Sequence, residues 1–391
     1  MEDQVSYQEA QRQENLRHEE VLATLAHELK NPLAAISNVL EIWSTVEHDP
    51  AQMARLRQIA RHQLGQMIRL SDDLLDIARI AQGKLKLSLQ NTAVKSIIEN
   101  VLEQLGPFVE QRGHVLTVSL PEQPLFVNGD ATRLTQVFAN LVQNAAKYTE
   151  PSGQIWVIAE LSDETAVIRV RDTGRGIPEE MLSAIFTLFT QVDATLGHAL
   201  EGLGIGLTLV KRIVEMHSGS ITVRSEGLEC GSEFIVRLPA LVGPGLREPR
   251  EAPPSPLKDA EQRTPRRILV VDDVRALTQT QAMMLRHLGH DVKMATGGVE
   301  ALRIVLAERP DVVFLDILMP DMDGIEVARE IRKHAELDNV VLIALTGYTE
   351  QRWQRRALAA GFNHLLVKPT SIGAMQQVLA GLPAVGAKKP Q

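Results

Sequence analysis

Cysteine is almost missing from this chain: Cys230 stands alone among 391 residues. No intramolecular disulfide can form, and a reducing compartment fits best. Long apolar runs are missing too. "VVFL" and "VVLIAL" fall far short of the roughly 20 residues that a bilayer crossing needs. The N-terminus, "MEDQVSYQEAQRQENLRHEE", is polar and charged, without the apolar stretch of a secretory signal. These absences predict a cytoplasmic chain with no membrane segment. There is no basic excess either: the net charge is −8, which argues against a non-specific nucleic-acid binder. What is present, 44% hydrophobic and 23% charged residues, is ordinary for a globular protein. The length allows two or three domains.

Residues 240 to 266, "ALVGPGLREPREAPPSPLKDAEQRTPR", are rich in proline and charge and lack apolar periodicity. They read as a linker over 241–266. Ahead of it, after a helical lead-in over 1–20, residues 21–82 form two amphipathic helices. Leu22, Leu25, Leu29, Leu33, Ile36 and Leu40 recur at three- and four-residue steps. Met53, Leu56, Ala60, Met67, Leu70, Leu74, Ile77 and Ala81 share one heptad frame, with Gln63 as its polar exception. Two such seams either dock on the neighbouring domain or complete a four-helix bundle with a second copy. The expectation is a homodimer through helices 21–82.

Residues 83–240 mix the two periodicities. Strands are expected at "KLKLSL", "HVLTVSL", "QIWVIAEL", "TAVIRVRD", "SITVRSE" and "SEFIVRLP", and helices at 94–111, 130–148 and 204–217. Strands that follow strands exclude a purely parallel sheet, so this is an α+β sandwich. Residues 267–385 alternate strictly: "RILVVDD", "DVKMAT", "DVVFLD", "VVLIALT" and "HLLVKP" each precede a helical stretch. That is an α/β, flavodoxin-like domain with a five-stranded parallel sheet, followed by a tail over 386–391. Asp272 and Asp273 follow its first strand, Asp316 ends the third, Thr346 the fourth and Lys368 the fifth. Ligands of such sheets bind at that edge.

In "TLAHELKNPLAAI", His27 lies two positions after Leu25 and two before Leu29. It therefore points about 160–200° from the apolar seam, towards water. Asn31 is its i+4 neighbour, Glu28 adjoins it, and Pro32 favours a bend at Glu28. An exposed imidazole beside a carboxylate suits a nucleophile. Taken alone, the stretch equally fits a solvated histidine on a polar face; the chain has eleven. "NLVQNAAKY" puts Asn140, Asn144, Lys147 and Tyr148 on adjacent turns of one helix. Two amides there suit a hydrated Mg2+ ion and the lysine a phosphate. "DTGRGIP" sets Asp172 before Gly174 and Gly176, a carboxylate for the exocyclic amine of adenine beside backbone that a ligand can approach. "GLGIGL", with Gly202, Gly204 and Gly206, opens a helix whose amide end can cradle phosphates.

In this order, these stretches resemble the phosphoacceptor box, asparagine box and two glycine boxes of the sensor histidine kinases. Residues 267–385 resemble a response-regulator receiver domain. Nearly the whole chain is thus similar to a hybrid histidine kinase: a dimeric helical hairpin, a GHKL-type ATPase sandwich and a receiver. The resemblance implies ATP and Mg2+ as cofactors. It implies that His27 receives the γ-phosphoryl group with Glu28 as base or orienting partner, and that Asn31 places water in the reverse, phosphatase reaction. Asn140 and Asn144 would serve magnesium, Lys147 the phosphates, Asp172 the adenine, and Gly202, Gly204 and Gly206 the lid. In the receiver, Asp316 is the implied acceptor, Asp272 and Asp273 the magnesium ligands, and Thr346 and Lys368 the phosphoryl contacts. Two departures stand out. Thr187 and Leu188 replace the acidic residue and proline usual between Phe186 and Phe189, and Val274 follows the acid pair where a polar residue is common.

The expected activity is autophosphorylation of His27 and transfer to Asp316. The rival readings are a phosphatase of a partner response regulator and a silent dimeric scaffold with a receiver switch. No histidine phosphotransfer module is recognisable after the receiver, so onward relay would need a separate phosphotransfer protein or response regulator, or else Asp316 acts as a sink or internal regulator. No sensor segment is recognisable ahead of residue 21, so the upstream input comes from a partner or from a longer chain.

Overall fold

The computed structural model describes residues 23–43, 49–188, 190, 204–241, 265–347 and 351–382, with the side chains of 351–354 excepted. The expected lead-in, most of the linker, the tail, Phe189 and Gly202 lie outside these residues. The chain divides into two units, Met1–Glu251 and Ala252–Gln391.

The first unit opens with two helices, α1 over residues 23–43 and α2 over Pro50–Ala81. Asp49 caps α2 by accepting from the amides of Ala51 and Gln52, and Pro50 begins it where no amide is needed. The predicted heptad positions of α2 from Met53 to Ile77 are all buried or half-buried; Ala81 is exposed. The single stripe expected on α1 is split. Leu25, Leu29, Pro32, Ile36 and Val39 turn inward, whereas Leu33 and Leu40 stay 51% and 63% exposed. Leu64 and Leu75 of α2 are likewise exposed, so the hairpin keeps a second apolar edge outside its own seam.

A seven-stranded sheet follows. Its strands are β1 Gln90–Ala93, β2 Val115–Ser119, β3 Phe126–Gly129, β4 Gln154–Ser162, β5 Thr165–Asp172, β6 Ser220–Arg224 and β7 Ser232–Leu241. They run β1-β3-β7-β5-β4-β2, with β6 also on β7. Only β2 and β4 pair in parallel; the other pairs are antiparallel. Helices α3 Val94–Gln111, α4 Ala131–Tyr148 and α5 Gly206–Met216 pack on the sheet around a core that includes Phe138, Leu134, Ile155, Ile168 and Ile213. The strand expected at "KLKLSL" is not formed. Leu85 and Leu87 alternate inward as predicted, but the amide of Ser88 goes to the Asp130 side chain at 2.9 Å instead of a ladder. The strand comes just after it, as β1, and both β1 and its partner β3 are short and lack the apolar alternation that would announce them. His217, buried at the end of α5, ties the helices together: its Nδ1 donates to the Ile213 carbonyl at 2.8 Å and its Nε2 accepts from the Asp130 amide at 3.0 Å.

The second unit is a five-stranded parallel sheet: β8 Arg267–Val271, β9 Asp291–Ala295, β10 Val312–Asp316, β11 Val341–Thr346 and β12 His364–Val367, in the order β12-β11-β10-β8-β9. Successive side chains of a strand point to opposite faces. Ile268 and Val270 therefore join α6 (Arg275–His287) and α10 (Ile372–Ala380) in one core, while Leu269 and Val271 join α7 (Gly298–Glu308), α8 (Gly324–Arg332) and α9 (Gln351–Ala359) in the other. All five residues of β10 are buried. The chain order reverses between β8 and β10, and at that switch point the C-terminal strand ends bring Asp272 and Asp316 together.

Candidate functional site

His27 is exposed on α1, as its spacing predicts. Its hydrogen-bond partner among the described residues is Asn31, one turn on: the amide Nδ2 stands 3.2 Å from the ring Nδ1. Glu28, a neighbour in sequence, is 100° round the helix from it. An amide donating to Nδ1 leaves the ring proton on Nε2. Turned over, the same amide accepts from Nδ1–H and frees the Nε2 lone pair.

A second group assembles where α4, α5 and the end of β5 meet. Asn140, Asn144, Lys147 and Tyr148 lie half-buried along α4. Lys147 Nζ is 3.3 Å from the Tyr148 hydroxyl and 4.8 Å from its ring centroid. Gly206 begins α5 so close to Asn140 that an added Cβ would stand 3.0 Å from its Oδ1. The amide end of α5 therefore opens beside the asparagine face. Gly204, with φ of +65°, turns the chain into that helix. Asp172 ends β5, only 6% exposed. Its Oδ1 accepts from the Gly174 and Ser232 amides at 2.8 and 3.2 Å, and its Oδ2 from the Ser232 hydroxyl at 2.6 Å. Burial raises its pKa, and the Ser232 and Gly174 hydrogen bonds oppose that rise. Gly174 and Gly176 are required by space: a Cβ would meet the Tyr148 carbonyl at 2.5 Å or the Gly227 carbonyl at 2.0 Å. Gly176 also has φ of +71°.

Ser232 belongs to none of the motif stretches. It faces Asp172 because β5 and β7 pair in the register Asp172↔Ser232, a partnership between residues sixty positions apart. A serine just after a glycine at the start of a strand is its only local signal.

The third group lies in the second unit. Carboxylate oxygens of Asp272, Asp273 and Asp316 all fall within 4.8 Å of one another. Lys368 Nζ bridges Asp272 Oδ2 at 2.6 Å and Asp316 Oδ2 at 2.9 Å. Burial pushes the Asp316 carboxyl pKa up, against the hydrogen bond and charge of Lys368. Burial would lower the Lys368 pKa, but its bonds to Asp272 and Asp316 outweigh this and raise it. Three convergent carboxylates form the all-oxygen donor set that suits a hard divalent cation such as Mg2+, so the residues fit the ion. Thr346, almost fully buried, ends β11, and its carbonyl accepts from the Lys368 amide at 2.7 Å. Gly324 sits against the Asp316 carbonyl, where a Cβ would come to 2.1 Å. Val274 is exposed, and its amide donates to Asp272 Oδ1 at 3.0 Å.

A fourth cluster, which no sequence motif announces, joins α2 to α4. Arg133 Nη1 donates to Asp76 Oδ2 and, at 2.9 Å, to Gln136 Oε1; Gln136 Nε2 donates to Asp76 Oδ2 at 3.1 Å. Beside them, burial and the charge of Asp76 push the Asp73 pKa up to about 6. The folded state therefore holds this proton more tightly than the unfolded chain. Ionising Asp73 costs stability as pH rises from about 4 to about 6, and the cost is complete above that. Asp73→Asn is expected to raise the thermal midpoint by a few degrees near pH 7.5, equivalent to about 1–3 kcal/mol. Near pH 4 the gain should vanish. Calorimetry of both proteins across that range checks it; a gain independent of pH would refute the assignment.

Residues 17–83 match the His Kinase A (phospho-acceptor) domain family, 129–242 the histidine kinase-, DNA gyrase B- and HSP90-like ATPase family, and 268–380 the response regulator receiver domain family. The autoinducer 2 sensor kinase/phosphatase LuxQ of Vibrio cholerae is 31% identical over 94% of this chain and 43% of its own length. The sensory/regulatory protein RpfC of Xanthomonas campestris pv. campestris is 29% identical, over 92% of this chain and 53% of its own. The sensor protein EvgS of Escherichia coli is 27% identical, over 95% and 31%. The chain thus spans about half or less of these curated relatives. No helix among the described residues is long and apolar enough to cross a membrane.

Proposed function

The chain belongs to the hybrid sensor histidine kinases, with phosphoacceptor, ATPase and receiver domains in one polypeptide, and we propose that it phosphorylates His27 from ATP and passes the group to Asp316. The observation that carries this reading is the pairing of an exposed, amide-tethered imidazole with a buried carboxylate beside two space-restricted glycines. The first offers a nucleophile and the second a purine pocket. Asp172 Oδ2 accepts from the adenine amine while Ser232 holds the carboxylate in place. Asn140 and Asn144 would hold the magnesium that accompanies ATP, Lys147 would neutralise phosphate charge, and the amide end of α5 would receive the triphosphate.

In the first transfer the lone pair of His27 Nε2 forms the new P–N bond as the bond from the γ-phosphorus to the bridging oxygen breaks, and ADP leaves. Asn31 keeps Nδ1 engaged, so the imidazole is presented in one orientation. In the second, a carboxylate oxygen of Asp316 attacks the same phosphorus and the P–N bond breaks, restoring neutral His27. Asp272, Asp273 and Asp316 would hold Mg2+, which supplies charge neutralisation of the transferring group. Lys368, already bonded to Asp272 and Asp316, and Thr346 at the end of β11 would receive phosphoryl oxygens. The same Asn31 supports a phosphatase activity towards a partner response regulator, since its exposed amide beside His27 could orient an attacking water.

Incubation with γ-labelled Mg-ATP tests the reading. Label should appear in two pools, one acid-labile and stable to base, the other an acyl phosphate cleaved by hydroxylamine. No nucleotide-dependent label in either pool would refute it.

The exposed apolar edge of the hairpin supports a homodimer, with Leu33 and Leu40 facing a second copy. Light scattering at micromolar concentration should give twice the chain mass. Leu33→Asp/Leu40→Asp should give the single-chain mass with nucleotide binding retained. A wild-type monomer would remove the bundle.

A further inference from the structure

Ser225 lies outside every motif stretch, yet separate pieces of backbone meet at its half-buried hydroxyl. The connection from β6 to β7, residues 225–231, lies like a strap across the loop from Asp172 to Ile177. Ser225 Oγ accepts from the Ile177 amide at 2.9 Å and donates to the Gly231 carbonyl at 2.7 Å, with the Gly227 carbonyl at 3.2 Å. The amides of Glu229 and Gly231 donate to the carbonyls of Arg175 and Gly174 at 2.6 and 2.9 Å. A hairpin turn ordinarily satisfies its polar groups within itself. This one directs two amides and a hydroxyl to a segment 48 positions earlier. Its backbone is bent to do so: Gly227, Glu229 and Gly231 have φ of +112°, +62° and +72°. That conformation is costly for Glu229, which carries a Cβ, and the bond to the Arg175 carbonyl holds it there.

Followed atom by atom, the contacts close a circuit on Asp172. Its Oδ1 accepts from the Gly174 and Ser232 amides. The Gly174 carbonyl accepts from the Gly231 amide, and the Gly231 carbonyl from Ser225. Ser225 thus brackets both amides that hold the carboxylate: Gly174 through Ile177 on one side, Ser232 through Gly231 on the other. A Cβ on Gly231 would come within 2.1 Å of the Asp172 carbonyl, so the strap has no slack at that point. Position matters here because guanine carries a carbonyl where adenine carries an amine. A fixed carboxylate bonds to one and repels the other; a carboxylate free to swing aside does neither.

From this we propose that Ser225 is a positioning residue for nucleotide selection: through the strap it fixes Asp172 and so sets the preference for adenine over guanine. The inference deepens the kinase reading above and rests on its purine pocket.

Isothermal titration with non-hydrolysable ATP and GTP analogues tests it. Ser225→Ala should weaken the ATP analogue by about three- to tenfold, the scale of one neutral hydrogen bond. The GTP analogue should bind no more weakly than to wild type, since the asparagine face and the amide end of α5 are untouched. Ser225→Thr keeps the hydroxyl and should restore ATP affinity to within about twofold. Asp172→Asn/Ser225→Ala should bind the ATP analogue no more weakly than Asp172→Asn alone, because both changes act on one contact. In nucleotide-free protein, Ser225→Ala should also speed amide exchange over residues 174–177. Unchanged ATP affinity, equal losses for both analogues, no restoration by threonine, additive losses in the double variant or unaltered exchange would each overturn the role of Ser225. A wild type that binds no adenine nucleotide would instead fail the purine reading itself, and the inference with it.

Discussion

Replacing His27 by glutamine is expected to abolish the acid-labile label completely and, with it, the label on Asp316. Glutamine keeps the polarity and roughly the size of the side chain on an exposed helix face, so neither the hairpin nor the nucleotide pocket has reason to change. What it removes is the ring nitrogen whose lone pair would attack phosphorus in the proposed transfer. No neighbour can substitute: Asn31 carries a non-nucleophilic amide, and a carboxylate at Glu28 would give an acyl phosphate of different lability. The companion variant, Asp316→Asn, should show the opposite pattern. With the second acceptor gone and the first intact, label should accumulate on His27 above the wild-type level. Asparagine also leaves Lys368 with Asp272 as its partner, so the lysine is not stranded. Phosphoamino-acid stability at acid and alkaline pH, measured on all three proteins, reads both outcomes. Acid-labile label in His27→Gln would end the assignment of the acceptor.

The second large effect is at Asp172. Its replacement by asparagine should weaken ATP binding by about thirtyfold or more, since a hydrogen bond to an ionised group is worth roughly 1.5–3 kcal/mol and the site also loses its fixed orientation. In the wild type, both carboxylate oxygens accept: one from two amides, the other from the Ser232 hydroxyl. Asparagine presents an NH2 group to one of these donor sets, which is repulsive whichever way the amide is turned. Ser232→Ala should weaken binding less, by about three- to tenfold, because the carboxylate remains and only its restraint is lost. Isothermal titration with a non-hydrolysable ATP analogue measures both. Equal affinity for wild type and Asp172→Asn would place the purine elsewhere.

Much of the site is legible in the chain because its elements are local. The glycines at 174 and 176 stand next to the carboxylate they serve, and the exposure of His27 follows from its phase against Leu25 and Leu29. The receiver acids each end a strand in an alternating pattern, and parallel topology does the rest. What the chain conceals depends on register between distant segments. Ser232 meets Asp172 only once β5 and β7 pair, and Arg133 meets Asp76 across 57 positions. The apolar stripe of α1 is visible, but not its division: Pro32 and Val39 take the inward places that periodicity assigns to Leu33 and Leu40, because the hairpin seam follows only part of a wide stripe. "KLKLSL" has the alternation of a strand without a neighbour to pair with.

The central strand of the second unit has a mechanical consequence. β10 is walled in by side chains on both faces, laced to β8 and β11 along its edges, and stopped at its last carbonyl by Gly324. A bulky dianion added to Asp316, as proposed, would find an anvil beneath it. Recoil into the layers would be blocked, so the displacement would be channelled outward, into the loop from Ile317 to Asp323 and the end of β11, where another molecule could feel it.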